Sequence, residues 1–181
     1  MFQPLLLEQE YITDVSSKFE GEPDIDLDRF RGTVGQSFTG NFLATYFETF
    51  GIPYTEADIN EPWLTVDPTP VARFVVCRSM RYRSDKSLCI PTWKSVVDDN
   101  DFEHNAVFVG LPDEHADFCK LFDVKIPYHK CDDFLQLAQV IAGAEMFFGN
   151  QTFAYGIAQG LNVPTMLETL TKSTSPSIQI T

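Results

Sequence analysis

No uninterrupted apolar run in these 181 residues approaches the ~20 that a membrane-spanning helix needs. The opening MFQPLLLEQE has no basic lead-in and too short an apolar patch for a signal peptide. Basic residues are scarce: 13 against 26 acidic ones give 13 − 26 = −13. A chain so acidic is repelled by nucleic acid backbones and anionic membranes, so neither is an expected partner. Cysteines number four, Cys77, Cys89, Cys119 and Cys131, with no CxxC pair. In a chain this large and apolar they read as reduced thiols, which favours a cytoplasmic setting. The three histidines, His104, His115 and His129, show no metal-ligand spacing, so no metal site is expected.

What is present is ordinary globular material, 44% hydrophobic and 22% charged. The charge is uneven. Residues 1–70 carry 13 acidic and 3 basic residues, and residues 71–181 carry 13 and 10. The change falls at Val66-Asp67-Pro68-Thr69-Pro70, where two prolines in three residues exclude a helix interior or a central strand and predict a linker.

Beyond the prolines, strands and helices alternate. Ala72–Cys77, Ala106–Val109 and Glu145–Phe148 read as buried strands, Pro164–Leu167 as another, and Val124–Ile126 as a brief one. Helices are predicted at Thr92–Asp98, from Pro112 to Phe122, after Asp132 or Asp133, and over Gln151–Gln159 with Gly160 in the C′ position. SIQIT near the end reads as an edge strand. This pattern predicts an α/β fold, a Rossmann-like parallel sheet with helices on both faces. Before the prolines, Phe42–Phe50 reads as an aromatic amphipathic helix and Glu20–Asp28 as an acidic loop.

The strongest local signal is Phe148-Gly149-Asn150-Gln151-Thr152, a strand that ends on glycine and turns at once into a helix. Ligands of open α/β sheets bind at the carboxyl ends of strands, and a helix amino end there favours phosphate. Gly149 allows close backbone approach, Asn150 is a candidate cap, and Gln151 and Thr152 can donate to an oxygen. A plain strand-to-helix turn explains the same residues. The second signal is basic: Arg73, Arg78, Arg81, Arg83 and Lys86 are five of the second half's ten cations. Arg78, Arg81 and Arg83 follow the first strand onto the same sheet edge and suit bidentate phosphate contact; ion pairing to the acidic half is the alternative. Glu168, after the Pro164–Leu167 strand, is a candidate for ribose hydroxyls or a surface carboxylate. Glu114-His115 reads as an acidic helix start, Trp63 and Trp93 as packing residues, and Asp24, Asp26 and Asp28 as a solvated loop without the glycine and glutamate of a calcium loop.

Leu135 to Leu167 (LQLAQVIAGAEMFFGNQTFAYGIAQGLNVPTML) resembles the C-terminal, nucleotide-sugar-binding half of GT-B fold glycosyltransferases. It looks most like the ADP-heptose lipopolysaccharide heptosyltransferases and related bacterial and phage proteins. The matching pieces are Ile141-Ala142-Gly143-Ala144, Gly149 to Thr152, and Ala158 to Pro164. The resemblance reaches more weakly upstream through FVGLPDEHADF and CRSMRYRS, about 110 residues in all. The family carries Asp-Ser/Thr-Gly where this chain has Asn150-Gln151-Thr152. The resemblance implies that Asn150, Gln151 and Thr152 face a donor diphosphate and that the sugar passes to an acceptor hydroxyl without a metal or other cofactor. It also implies a division into residues 1–68, the remnant of an N-terminal GT-B-like domain, and residues 69–181, the binding domain. The alternative is a non-catalytic nucleotide-binding or assembly protein that keeps the fold, with a partner or a second copy covering any exposed edge. An epimerase acting on nucleotide sugars is a third reading.

Overall fold

A computed structural model describes residues 2–18, 20–29, 42–80, 86–169 and 177–180. The chain divides into two compact units, Met1–Val15 with Pro62–Thr181, and Ser16–Glu61.

The larger unit is built on a sheet of five strands in the order β2-β1-β3-β4-β5. These are β1 (Phe74–Cys77), β2 (Ala106–Phe108), β3 (Met146–Asn150), β4 (Thr165–Thr169) and β5 (Ser177–Ile180). The first four run parallel, and β5 pairs antiparallel with β4 at the edge. Its described helices are α1 (Gln3–Leu7), then, past the two described helices of the smaller unit, α4 (Lys86–Asp99), α5 (Phe102–Asn105), α6 (Pro112–Phe122), α7 (Phe134–Ala142) and α8 (Phe153–Gly160). The predicted α/β architecture is what forms. Strands β1, β2 and β3 are short and largely apolar, with β-branched or aromatic residues, as strands covered on both faces must be.

Side chains alternate across the sheet, and the two faces have different chemistry. Val75, Cys77, Val107 and Phe147 meet Leu137, Ile141, Ala154 and Ile157 of α7 and α8, a largely aliphatic layer. Phe74, Val76, Phe108 and Phe148 meet Trp93 and Val97 of α4 and Phe118 and Phe122 of α6, an aromatic layer. Edge-on pairs such as Phe102–Phe148 (4.9 Å, 75°) and Trp93–Phe118 (5.4 Å, 86°) hold the second layer in fixed orientation. Among the described residues no helix is long and apolar enough to cross a membrane.

Three predictions are corrected locally. Val124–Ile126 forms no strand; the sheet's outer rim is instead a single bridge from Phe108 to Tyr128. The Phe108 N–H donates to the Pro127 carbonyl at 2.8 Å, and the Phe108 carbonyl accepts from His129 N–H at 2.9 Å. Gly160 is not the C′ residue of α8. Asn162 takes that place at φ 55°, with Asn162 N–H donating to Gln159 O and Val163 N–H to Ala158 O, the paired bonds that close a helix. Gly160 serves close contact: a Cβ there would lie 2.7 Å from Leu64 Cδ1. The helix predicted at Thr92–Asp98 begins earlier, at Lys86.

The proline-bearing stretch 66–70 lies within the larger unit, where Thr69 N–H donates to Gln139 O at 2.8 Å. Nearby, the buried Gln9 side chain pairs with the Thr65 backbone, donating from Nε2 to its carbonyl (3.2 Å) and accepting its N–H (2.8 Å).

The smaller unit holds α2 (Phe42–Phe50), the predicted aromatic helix, and α3 (Glu56–Asn60). Thr55 and Asp58 cap α3 reciprocally. The acidic stretch is loop apart from a 3-10 turn at Leu27–Arg29.

Candidate functional site

Strand order locates the site. The chain leaves β1 for β2 on one side, then returns to lay β3 on the other, so the two connections diverge from the carboxyl ends of β1 and β3. In open α/β sheets that divergence opens the crevice where ligands bind. Cys77 stands opposite Gly149, and Asn150 opposite Glu168. Arg78, Asn150 and Glu168 therefore form one polar row across three neighbouring strands. They continue the face that carries Val76, Phe148 and Met166.

Gly149 is required by the backbone of β1. A Cβ at that position would lie 2.3 Å from the Cys77 carbonyl oxygen, inside any tolerable contact. The close approach lets the next residue reach across. Asn150 is fully buried and clasps the Ser79 backbone, accepting from its N–H at Oδ1 (3.1 Å) and donating from Nδ2 to its carbonyl (2.8 Å). The carboxamide thus extends the β1–β3 ladder by a residue. Asn150 is not the cap of α8. Thr152 is, its Oγ1 accepting the Tyr155 N–H at 3.4 Å. Gln151 is exposed at the turn.

Arg78 and Glu168 are paired with each other. Arg78 Nε donates to Glu168 Oε2 at 2.7 Å and Nη2 to Oε1 at 3.0 Å, and each side chain is only 3% exposed. The guanidinium also lies 5.4 Å from the Phe122 ring centre. This bidentate pair neutralises two charges that could not be buried separately. Arg81 and Arg83 lie outside the described residues. Arg73, at the opposite end of β1, pairs with Glu145 at 2.7 Å on the surface.

Sequence reasoning overlooked Ser79, whose backbone is the partner of Asn150, and Phe122, which floors Arg78. Only the glycine before Asn150 hinted at so close an approach. Trp93 is a packing residue as expected, 4% exposed, but its Nε1 has no hydrogen-bond partner.

Two of the described thiols are held back as nucleophiles. Burial pushes the Cys77 thiol up to about 12; burial first, then Asp132 and Asp133, raise Cys131 to about 11. Cys119 Sγ lies 3.3 Å from His115 Nε2, yet that nitrogen is also 2.8 Å from the Ile126 carbonyl. A carbonyl can only accept, so Nε2 carries the proton and cannot serve Cys119 as a base. Glu114 reaches back to the Leu111 N–H at 3.2 Å, the plain helix-start role. Among the described residues no three His, Cys, Asp or Glu side chains cluster as metal ligands do.

A cavity of ≈ 470 Å³ lies elsewhere. It is lined by Glu8, Gln9, Glu10, Tyr11, Trp63 and Asp67 among others. It lies at the amino rim of the sheet, where Trp63 and Leu64 donate to the Gly160 carbonyl at the end of α8. The strand-end crevice has the stronger chemical logic, because it gathers backbone donors, a capped helix start and the divergence of strand connections.

No protein-family model matches the sequence, and no curated protein sequence matches it. Among solved structures, the glycosyl transferase family 9 protein of Veillonella parvula DSM 2008 is similar at 11% identity and a TM-score of 0.49. The likeness covers 68% of this chain and 42% of that one, so this chain spans less than half of that protein's length.

Proposed function

We propose that the larger unit is the donor-binding part of a glycosyltransferase-like protein, and that a nucleoside diphosphate sugar binds at the carboxyl ends of β1, β3 and β4. The observation that supports this best is the coincidence of the strand divergence with the Gly149 turn and the capped start of α8. The diphosphate lies over Gly149, Gln151 and Thr152, with the first-turn N–H groups of α8 toward its oxygens and Arg81 and Arg83 as cationic contacts. Arg78, Asn150 and Glu168 act one layer beneath, holding three strand ends at fixed spacing. As the sugar passes to an acceptor hydroxyl, charge develops on the departing diphosphate, and helix dipole and guanidinium stabilise it. Unpaired Cys77, Cys119 and Cys131 fit a cytoplasmic setting.

A specific observation favours a second reading, a non-catalytic binding or assembly protein. Arg78 Nε and Nη2, both Glu168 carboxylate oxygens and the Asn150 carboxamide already have partners within the fold. Isothermal titration of the full chain with adenosine, guanosine, uridine and cytidine diphosphates and their sugar conjugates tests the first reading. Heat that disappears in an Arg81→Ala/Arg83→Ala variant supports it, and no heat with any of them sinks it. Binding without turnover of any conjugate in the presence of saccharide acceptors selects the second.

A further inference from the structure

The indole of Trp93 cannot turn to find a partner. Its ring stands edge-on to Phe118 at 5.4 Å and 86°, and lies 5.6 Å from Phe122 at 34°. Among the described residues its buried Nε1–H has no acceptor, a costly condition that native interiors rarely leave uncorrected. That ring lines a small space of ≈ 10 Å³ with Val96, Met166 and Glu168. Among the described lining residues, Trp93 brings an unused donor and Glu168 brings the acceptor. The volume is at the lower end of the roughly 10–15 Å³ that one water molecule requires.

We propose that this space is a specific single-water site, in which one water accepts from Trp93 Nε1–H and donates to the Glu168 carboxylate. Arg78 takes one lone pair on each carboxylate oxygen, at 2.7 and 3.0 Å, and a charged carboxylate has lone pairs to spare. The water gives Glu168 a third donor and gives Trp93 its missing acceptor. The polar row then runs continuously from Arg78 through Glu168 and the water to α4, tying that helix to the end of β4. Trp93 is on this account a positioning residue for the Arg78–Glu168 pair. The site stands whether or not a nucleotide binds at the strand ends above it.

Nuclear magnetic resonance of the ¹⁵N-labelled full chain, joined to a crystal structure fine enough to show ordered water, tests the proposal. A Trp63→Phe variant leaves one indole signal and so assigns Trp93. The Trp93 indole proton is expected to show a cross-peak to water, with the sign of a water held longer than fast surface hydration. Electron density is expected to show one peak within hydrogen-bond distance of Nε1 and a Glu168 oxygen. A dry cavity, an indole without that cross-peak, or an Nε1–H bonded directly to a protein acceptor overturns it.

Discussion

Arg78 and Glu168, ninety positions apart in the chain, meet through two hydrogen bonds of 2.7 and 3.0 Å with each side chain 3% exposed. Breaking such a pair from one side leaves a buried charge with no partner. Glu168→Leu is therefore expected to lower stability by about 3–5 kcal/mol, while Arg78→Met/Glu168→Leu recovers most of the loss. Urea unfolding of the two variants checks this. A double variant as unstable as the single one would show that the damage is not electrostatic.

Gly149→Ala places a methyl group 2.3 Å from the Cys77 carbonyl oxygen. The central strands must separate to admit it, at a cost of about 1–3 kcal/mol or more. Thermal unfolding is expected at a clearly lower temperature. Gly156→Ala makes the control, since a Cβ there meets nothing within 4 Å.

Asn150→Asp introduces the acid that the resembling family carries in this turn. Here it replaces the Nδ2 donor with an oxygen facing the Ser79 carbonyl, 2.8 Å from the present nitrogen. The lost bond and the unsatisfied carbonyl are expected to cost about 1–3 kcal/mol, read by denaturant titration. If Asn150→Asp is as stable as the parent, the clasp contributes nothing.

Asn162 holds φ 55° at the end of α8. Asn162→Gly is expected to be neutral or mildly stabilising, and Asn162→Ala to cost about 1–2 kcal/mol, because alanine pays the left-handed strain without compensation. Paired thermal melts of the two variants separate backbone conformation from side-chain bonding.

Cys77 and Cys131 keep their protons to about 12 and 11 when folded, against 9.0 for an ordinary thiol. Above pH 9 the unfolded chain loses these protons while the folded chain retains them. Unfolding is thus increasingly favoured as pH rises from 9 toward 12, and the thiol contribution is constant below 9. Cys77→Ala should flatten the fall in urea midpoint across that window. An unchanged slope would assign the alkaline loss to other groups.

The elements that were legible in the sequence are those whose information is local. FVVC, AVF and MFF announce strands by apolar content alone, and Asp133 announces α7 because it accepts the Gln136 N–H at 2.9 Å, three residues ahead. SIQI was also readable as an edge strand. What was hidden depends on partners remote in sequence. Nothing near Glu168 reveals Arg78, and nothing near Asn150 reveals Ser79. Gly160 looked like a helix terminator because glycine commonly is one. Only the packing of Leu64 against it explains the residue, and that frees Asn162 to end the helix. Val124–Ile126 has strand composition, but the backbone bonds to the sheet come just beyond it, linking Pro127 and His129 to Phe108.

That single bridge has a further effect. The outward N–H and carbonyl of Phe108 are both occupied, by Pro127 and His129, and proline has no N–H to offer a newcomer. A foreign strand approaching this flank finds its template already taken. The flank therefore resists the strand-to-strand stacking that seeds aggregates, without a charged side chain being needed there.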